Sequence, residues 1–132
     1  MGSKVENYSF ETLEVYILAR EFRKEIYKLL NKLPKEEKYS LCDQMRRAAV
    51  SLTNNIAEGH GRFHYQENIQ FLRHSRGSLE ELIDDLNVCI DEKYFDLEFL
   101  EEVKQKAFKV LKKLNGYIKY LKGKKEESNI KL

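Results

Sequence analysis

Turn chemistry is scarce in this chain: one proline, six glycines and no tryptophan among 132 residues. That scarcity argues against a sheet protein with frequent tight turns, and a charged fraction of 35% favours long helices with solvated faces. Only two cysteines are present, Cys42 and Cys89, without the paired spacing of a zinc site. With no export signal to favour a disulfide, both are expected to be reduced core thiols. No apolar run approaches the roughly 20 residues needed to cross a bilayer, and the polar N-terminus lacks a signal-peptide core. The expectation is a cytoplasmic protein with no membrane partner. A formal net charge of +2 selects no class of partner. The length suits one domain able to bury a core without a metal or disulfide.

Hydrophobic periodicity is abundant. A first helix is expected from a Ser9 cap to about Lys32, with Val15, Ala19, Phe22, Ile26, Leu29 and Leu33 as its inward seam. Pro34 breaks it. A second helix carries Leu41, Met45, Ala48, Leu52 and Asn55 at alternating steps of four and three, flanked by small residues that let neighbours approach. Ser40 with Asp43 is read as its start, and Gly59 with Gly61 as a left-handed stop. The third seam is Ile69, Leu72, Arg76, Leu79, Ile83, Leu86 and Ile90. Asp96 is expected to cap the fourth helix, whose seam is Leu100, Val103, Ala107, Val110, Leu114, Ile118 and Leu121. These four stripes predict an all-α, up-down-up-down four-helix bundle over residues 9–122, with a flexible N-terminus at 1–8 and a flexible basic tail at 123–132. Its core is expected to include Phe22, Ile26, Met45, Leu52, Leu72, Leu79, Ile83, Leu86, Leu100, Val103, Val110 and Leu114.

Gln44, Arg46-Arg47-Ala48-Ala49, Ser51, Asn55-Ile56-Ala57-Glu58-Gly59 and Gly61-Arg62, with the later Phe71-Leu72 and Gly77 to Leu82, form a long ordered pattern. It resembles the four-helix bundle proteins encoded within intervening sequences of bacterial 23S ribosomal RNA genes, with weaker similarity from about Phe10 to Leu121. Tyr16, Leu52 and His60 depart from the residues usual in that family. The family is similar in shape to accessory proteins of diversity-generating retroelements, which form pentamers and engage nucleic acid. The resemblance therefore implies a cyclic homo-oligomer, with a pentamer favoured, but supplies no catalytic residue.

Lysine is absent between Lys38 and Lys93, yet Arg46, Arg47, Arg62, Arg73 and Arg76 lie there. Planar guanidinium donors suit phosphate oxygens and stack on bases, so these five are the candidate RNA or other nucleic-acid contacts. A helical hairpin would set Arg47 level with Ser78 and Arg76 with Ala49. A second line on the first helix, Tyr16, Arg20, Arg23 and Tyr27, suits an oligomer interface, or simply covers the bundle edge. Asn55 and Glu58 are candidate structural polar residues, Asn55 fixing helix register; with Arg76 they offer the competing reading of a buried polar network. His60, His64, Glu58 and Glu67 lack the spacing of a helical metal centre, so no metal or other cofactor is expected. The alternative functions are a structural oligomeric adaptor with no nucleic-acid role and, more remotely, an enzyme using the histidines.

Overall fold

The computed structural model describes residues 9–130; the expectation for 1–8 lies outside them. Four helices, α1 (Glu14–Leu30), α2 (Leu41–His60), α3 (Tyr65–Asp91) and α4 (Leu97–Ile130), run alternately up and down, with α1 and α4 packing together to close the bundle. No strand occurs among the described residues. None of the described helices is long and apolar enough to cross a membrane.

The expected core is buried throughout, except that Ile83 is only partly covered. The third seam differs from its sequence reading. Ser75, Leu82, Asp85 and Cys89 are buried, whereas Arg76, Ile83 and Ile90 lie at its margin. Ser75 belongs inside because its hydroxyl donates to the Leu52 carbonyl at 2.8 Å. Asp85 is 2% exposed and accepts from Gln44 Nε2 at 2.8 Å, leaving its other oxygen unpartnered. Burial pushes the Cys89 thiol up to about 11 and also raises Cys42, so both stay protonated and weakly nucleophilic at neutral pH.

The helix ends correct several local expectations. Ser9 does cap a helix, but only a 3-10 turn at Phe10–Thr12, after which extended Leu13 interrupts the path into α1. The Ser40 hydroxyl donates to Glu37 Oε1 at 2.7 Å and makes no capping bond to α2. Neither Gly59 nor Gly61 supplies a left-handed stop: Gly59 lies inside α2, and Gly61 has φ −79°. Gly59 is required by proximity, since a Cβ there would meet Asn68 Oδ1 at 2.7 Å and Phe71 Cβ at 2.9 Å across the α2–α3 contact. The left-handed stop occurs instead after α3. Lys93 has φ 58°, its amide bonds to the Ile90 carbonyl and that of Tyr94 to Cys89, a Schellman ending without the usual glycine. Asp96 precedes α4, its carbonyl accepting from the Leu100 amide at 3.1 Å. Helix α4 then continues to Ile130, through the stretch read as a tail.

Gly77, by contrast, is an exposed helical position with open space around its missing side chain. Gly77→Ala is therefore expected to raise stability by up to about 1 kcal/mol, the helix-propensity difference. A higher thermal midpoint with unchanged circular dichroism would bear this out; a lower one would mean that the site is crowded.

Candidate nucleic-acid interface

Two candidate groups treated separately in the sequence meet along the α1–α2 face. The Arg46 guanidinium of α2 lies over the Tyr27 ring of α1, 5.6 Å from its centroid. One turn earlier on α1, Arg23 Nη1 donates to the buried Thr53 hydroxyl at 2.7 Å, and that hydroxyl donates onward to the Val50 carbonyl. Arg20 is exposed on the same helical line. Tyr16, the fourth member of the line, is 9% exposed and packs edge to face on Phe10 at 4.8 Å. Among the described residues, Arg20, Arg23 and Arg46 make no ion pair with a carboxylate.

The flank of α1 that faces α4 has the opposite character. Glu14 and Glu25 pair there with Lys113 and Lys106 at 2.8 and 3.4 Å. The Lys113 hydrogen bond holds the Glu14 carboxyl below the usual carboxylate range. An open groove of about 710 Å³ runs beside this contact, with Leu13, Leu18 and Tyr117 on its floor and Lys109, Lys112 and Lys113 at its rim. Helix α1 thus presents carboxylates to α4 and, on its α2 side, guanidinium groups without an ion pair among the described residues.

The remaining candidate arginines are distributed over other faces. Arg47 pairs with Asp43 at 3.2 Å and shares an α2–α3 groove with Gln44, Ser51, Ser78 and Glu81, as the hairpin register predicts. Arg62 pairs with Glu58 at 2.7 Å and lies 4.7 Å over the Phe71 ring. Arg73 is exposed and reaches Gln70 at 3.5 Å. Arg76 turns to α4 and donates to Asn115 Oδ1 at 2.8 Å. The five groups therefore form no single patch within one subunit.

The polar network expected of Arg76, Glu58 and Asn55 does not form. Glu58 is exposed and engages Arg62, while Asn55 donates to the carbonyl and hydroxyl of Ser51 in its own helix. Register is held next door. Ser78 donates to the Ser51 hydroxyl at 2.9 Å, Ser75 to the Leu52 carbonyl, and Gln44 to Asp85, three side-chain bonds tying α2 to α3. Thr53 does not stand out in the sequence, yet it anchors Arg23; a threonine inside a small-residue helix face is the one signal that marks it. His60 ends α2 and His64 precedes α3, with the Phe63 ring edge-on to His64 at 5.0 Å. Among the described residues, no three His, Cys, Asp or Glu side chains converge as metal ligands.

The model for the 23S rRNA-intervening sequence protein family matches residues 11–116. Among solved structures, a protein with unknown function from the S23 ribosomal protein family of Bacteroides thetaiotaomicron VPI-5482 superposes with a TM-score of 0.74 at 24% identity, covering 80% of this chain and 95% of that one. That likeness speaks to the fold. No curated protein matches the sequence. The family match extends from the 3-10 turn before α1 well into α4, and so takes in all four helices: the chain belongs to the 23S rRNA-intervening sequence protein family.

Proposed function

We propose that this chain is a non-enzymatic, RNA-associated protein of the cytoplasm that works as a cyclic homo-oligomer, a pentamer being the assembly its resemblance implies. The observation that carries the reading is the α1–α2 face, where Arg20, Arg23 and Arg46 have no carboxylate partner among the described residues while Tyr27 and Thr53 orient two of them. Guanidinium groups held in this way lose less freedom on meeting phosphate than loose lysines do. A ring of subunits would repeat the face, together with Arg47, Arg62, Arg73 and Arg76, along one polyanion. Weak individual contacts then add through effective concentration, so a subunit charge of only +2 is no obstacle.

Binding of a structured RNA, followed by fluorescence anisotropy, is expected to weaken as salt rises. In an Arg20→Gln, Arg46→Gln double variant the slope of log affinity against log salt should fall by roughly 0.7 to 0.9 for each phosphate that is no longer neutralised. Light scattering and melting must first show that assembly and fold are intact. If the folded, assembled variant keeps both affinity and slope, the structural adaptor becomes the better reading. Partly exposed Ile17 and Phe108, at 48% and 41%, are the apolar surface such an adaptor would use.

A further inference from the structure

Helix topology brings two distant stretches to one end of the bundle. The turn between α2 and α3 carries Arg62, Phe63 and His64, Tyr65 opens α3, and the last turns of α4 pack beside them, where Lys125 Nζ donates to Gln66 Oε1 at 2.6 Å. Phe63 is 92% exposed and Tyr65 41%. On α4, Tyr120 is 57% exposed, stacked on Tyr117 with centroids 6.3 Å apart, and Lys124 sits 5.8 Å from its ring. Gly116 and Gly123 leave open space on either side of Tyr120, within a shallow groove of about 450 Å³ that also includes Lys119 and Lys124.

This end combines open aromatic faces with a group of lysines on the last turns of α4. Arg62, Lys119, Lys122, Lys124 and Lys125 lie on its two elements, against Glu58, Glu67, Glu126 and Glu127, and the adjoining 3-10 turn and start of α1 add Glu11 and Glu14. Glu58 is already paired with Arg62, and Glu127 with Lys124. The opposite end carries Glu36, Glu37, Asp91, Glu92, Asp96, Glu98, Glu101 and Glu102 against Lys32, Lys35, Lys38 and Lys93. A polyanion meeting the bundle end-on is therefore less repelled at the aromatic end than at the acidic one. An exposed ring at a tight turn has little to do for folding, whereas every unpaired base offers a π-face to stack on it.

We infer that this end is a stacking platform for unpaired bases of single-stranded RNA, with Phe63 and Tyr120 receiving bases and Lys119 and Lys122 facing phosphates. The inference rests on the RNA-binding reading above and adds to it a strand preference and a second locus, separate from the α1–α2 face. A base in a duplex is already stacked and cannot occupy the platform. One RNA strand spanning both loci would be gripped by phosphate contacts at the arginine face and by its bases here.

The test uses the full chain with a single-stranded RNA containing 2-aminopurine, and a duplex of equal length. Binding of the single strand is expected to change the 2-aminopurine fluorescence as the base restacks. Phe63→Ala should remove most of that change and weaken single-strand binding roughly tenfold, with Tyr120→Ala acting in the same direction, while duplex affinity is kept. Equal losses for duplex and single strand, or a Phe63→Ala protein that binds and restacks the base as before, overturn the platform and leave the arginine face standing. No binding of either RNA at low salt overturns both readings. A fall in oligomeric mass in Phe63→Ala assigns the ring to a subunit contact and also overturns the platform.

Discussion

Leu79→Asp is expected to abolish the cooperative fold at neutral pH. Leu79 is 0% exposed on the α3 seam, among the largest fully buried side chains. Its removal alone should cost about 2 to 5 kcal/mol, the range for a leucine truncated in a packed core. The incoming carboxylate adds the penalty of a buried charge without a partner, several kcal/mol more unless it is protonated. Together these approach the roughly 5 to 15 kcal/mol that holds a typical domain folded. Leu79→Ala separates the two contributions, and should leave a folded protein with a lower urea midpoint. Native melting and oligomeric mass in Leu79→Asp would show that the α3 seam is placed wrongly.

The chain already tolerates one buried carboxylate, and its effect should be visible in the pH dependence of stability. Burial pushes the Asp85 carboxyl up to about 6, with the Glu81 charge acting in the same direction and the Gln44 hydrogen bond opposing both. Between the unfolded value near 4 and this folded value, the native state binds more protons than the unfolded chain does. Raising the pH through that window therefore favours unfolding. The contribution is fully lost above about pH 6, and amounts to on the order of 2 to 3 kcal/mol. Glu14 and Glu37 have lowered values, so their smaller effects have the opposite sign and fall at lower pH. Asp85→Asn keeps an acceptor for Gln44 and cannot ionise. Its stability relative to wild type, from urea titrations, should improve by that amount between pH 4 and 7. Parallel curves for the two proteins would mean that the carboxyl titrates as it does in water.

The sequence specifies the bundle clearly because three of the four helices present a stripe that hydropathy ranks without ambiguity. The exception is α3, where alternating steps of three and four admit two frames. Ile83 is far more apolar than Asp85, yet Asp85 is the one buried, and Cys89 is buried while Ile90 lies at the margin. What places Asp85 and Ser75 inside is a hydrogen-bond partner on α2, and partners across a helix contact leave no periodic trace. Lys93 hides the end of α3 in the same way, since the left-handed residue there is not the glycine that usually announces it. The candidate site is legible in composition more than in arrangement. Arginine enrichment points to the residue type, but the pairing of Arg46 with Tyr27 joins two helices, and Arg76 reaches a fourth helix that its own sequence neighbourhood does not mention.

The bonds from Ser75, Ser78 and Gln44 across the α2–α3 hairpin bear on how the chain finds its fold. Leucine seams alone tolerate sliding, because a helix displaced by one turn still meets apolar neighbours. A displaced hairpin here would leave the Ser75 hydroxyl and the Asp85 carboxylate buried without partners, each at about 1 to 3 kcal/mol or more. Because α2 and α3 adjoin in the chain, this discrimination acts on contacts that close early, before α1 and α4 must come together across the whole sequence. Mispaired hairpins are rejected while they are still easy to undo, so the buried polar residues serve as a proofreading step in folding.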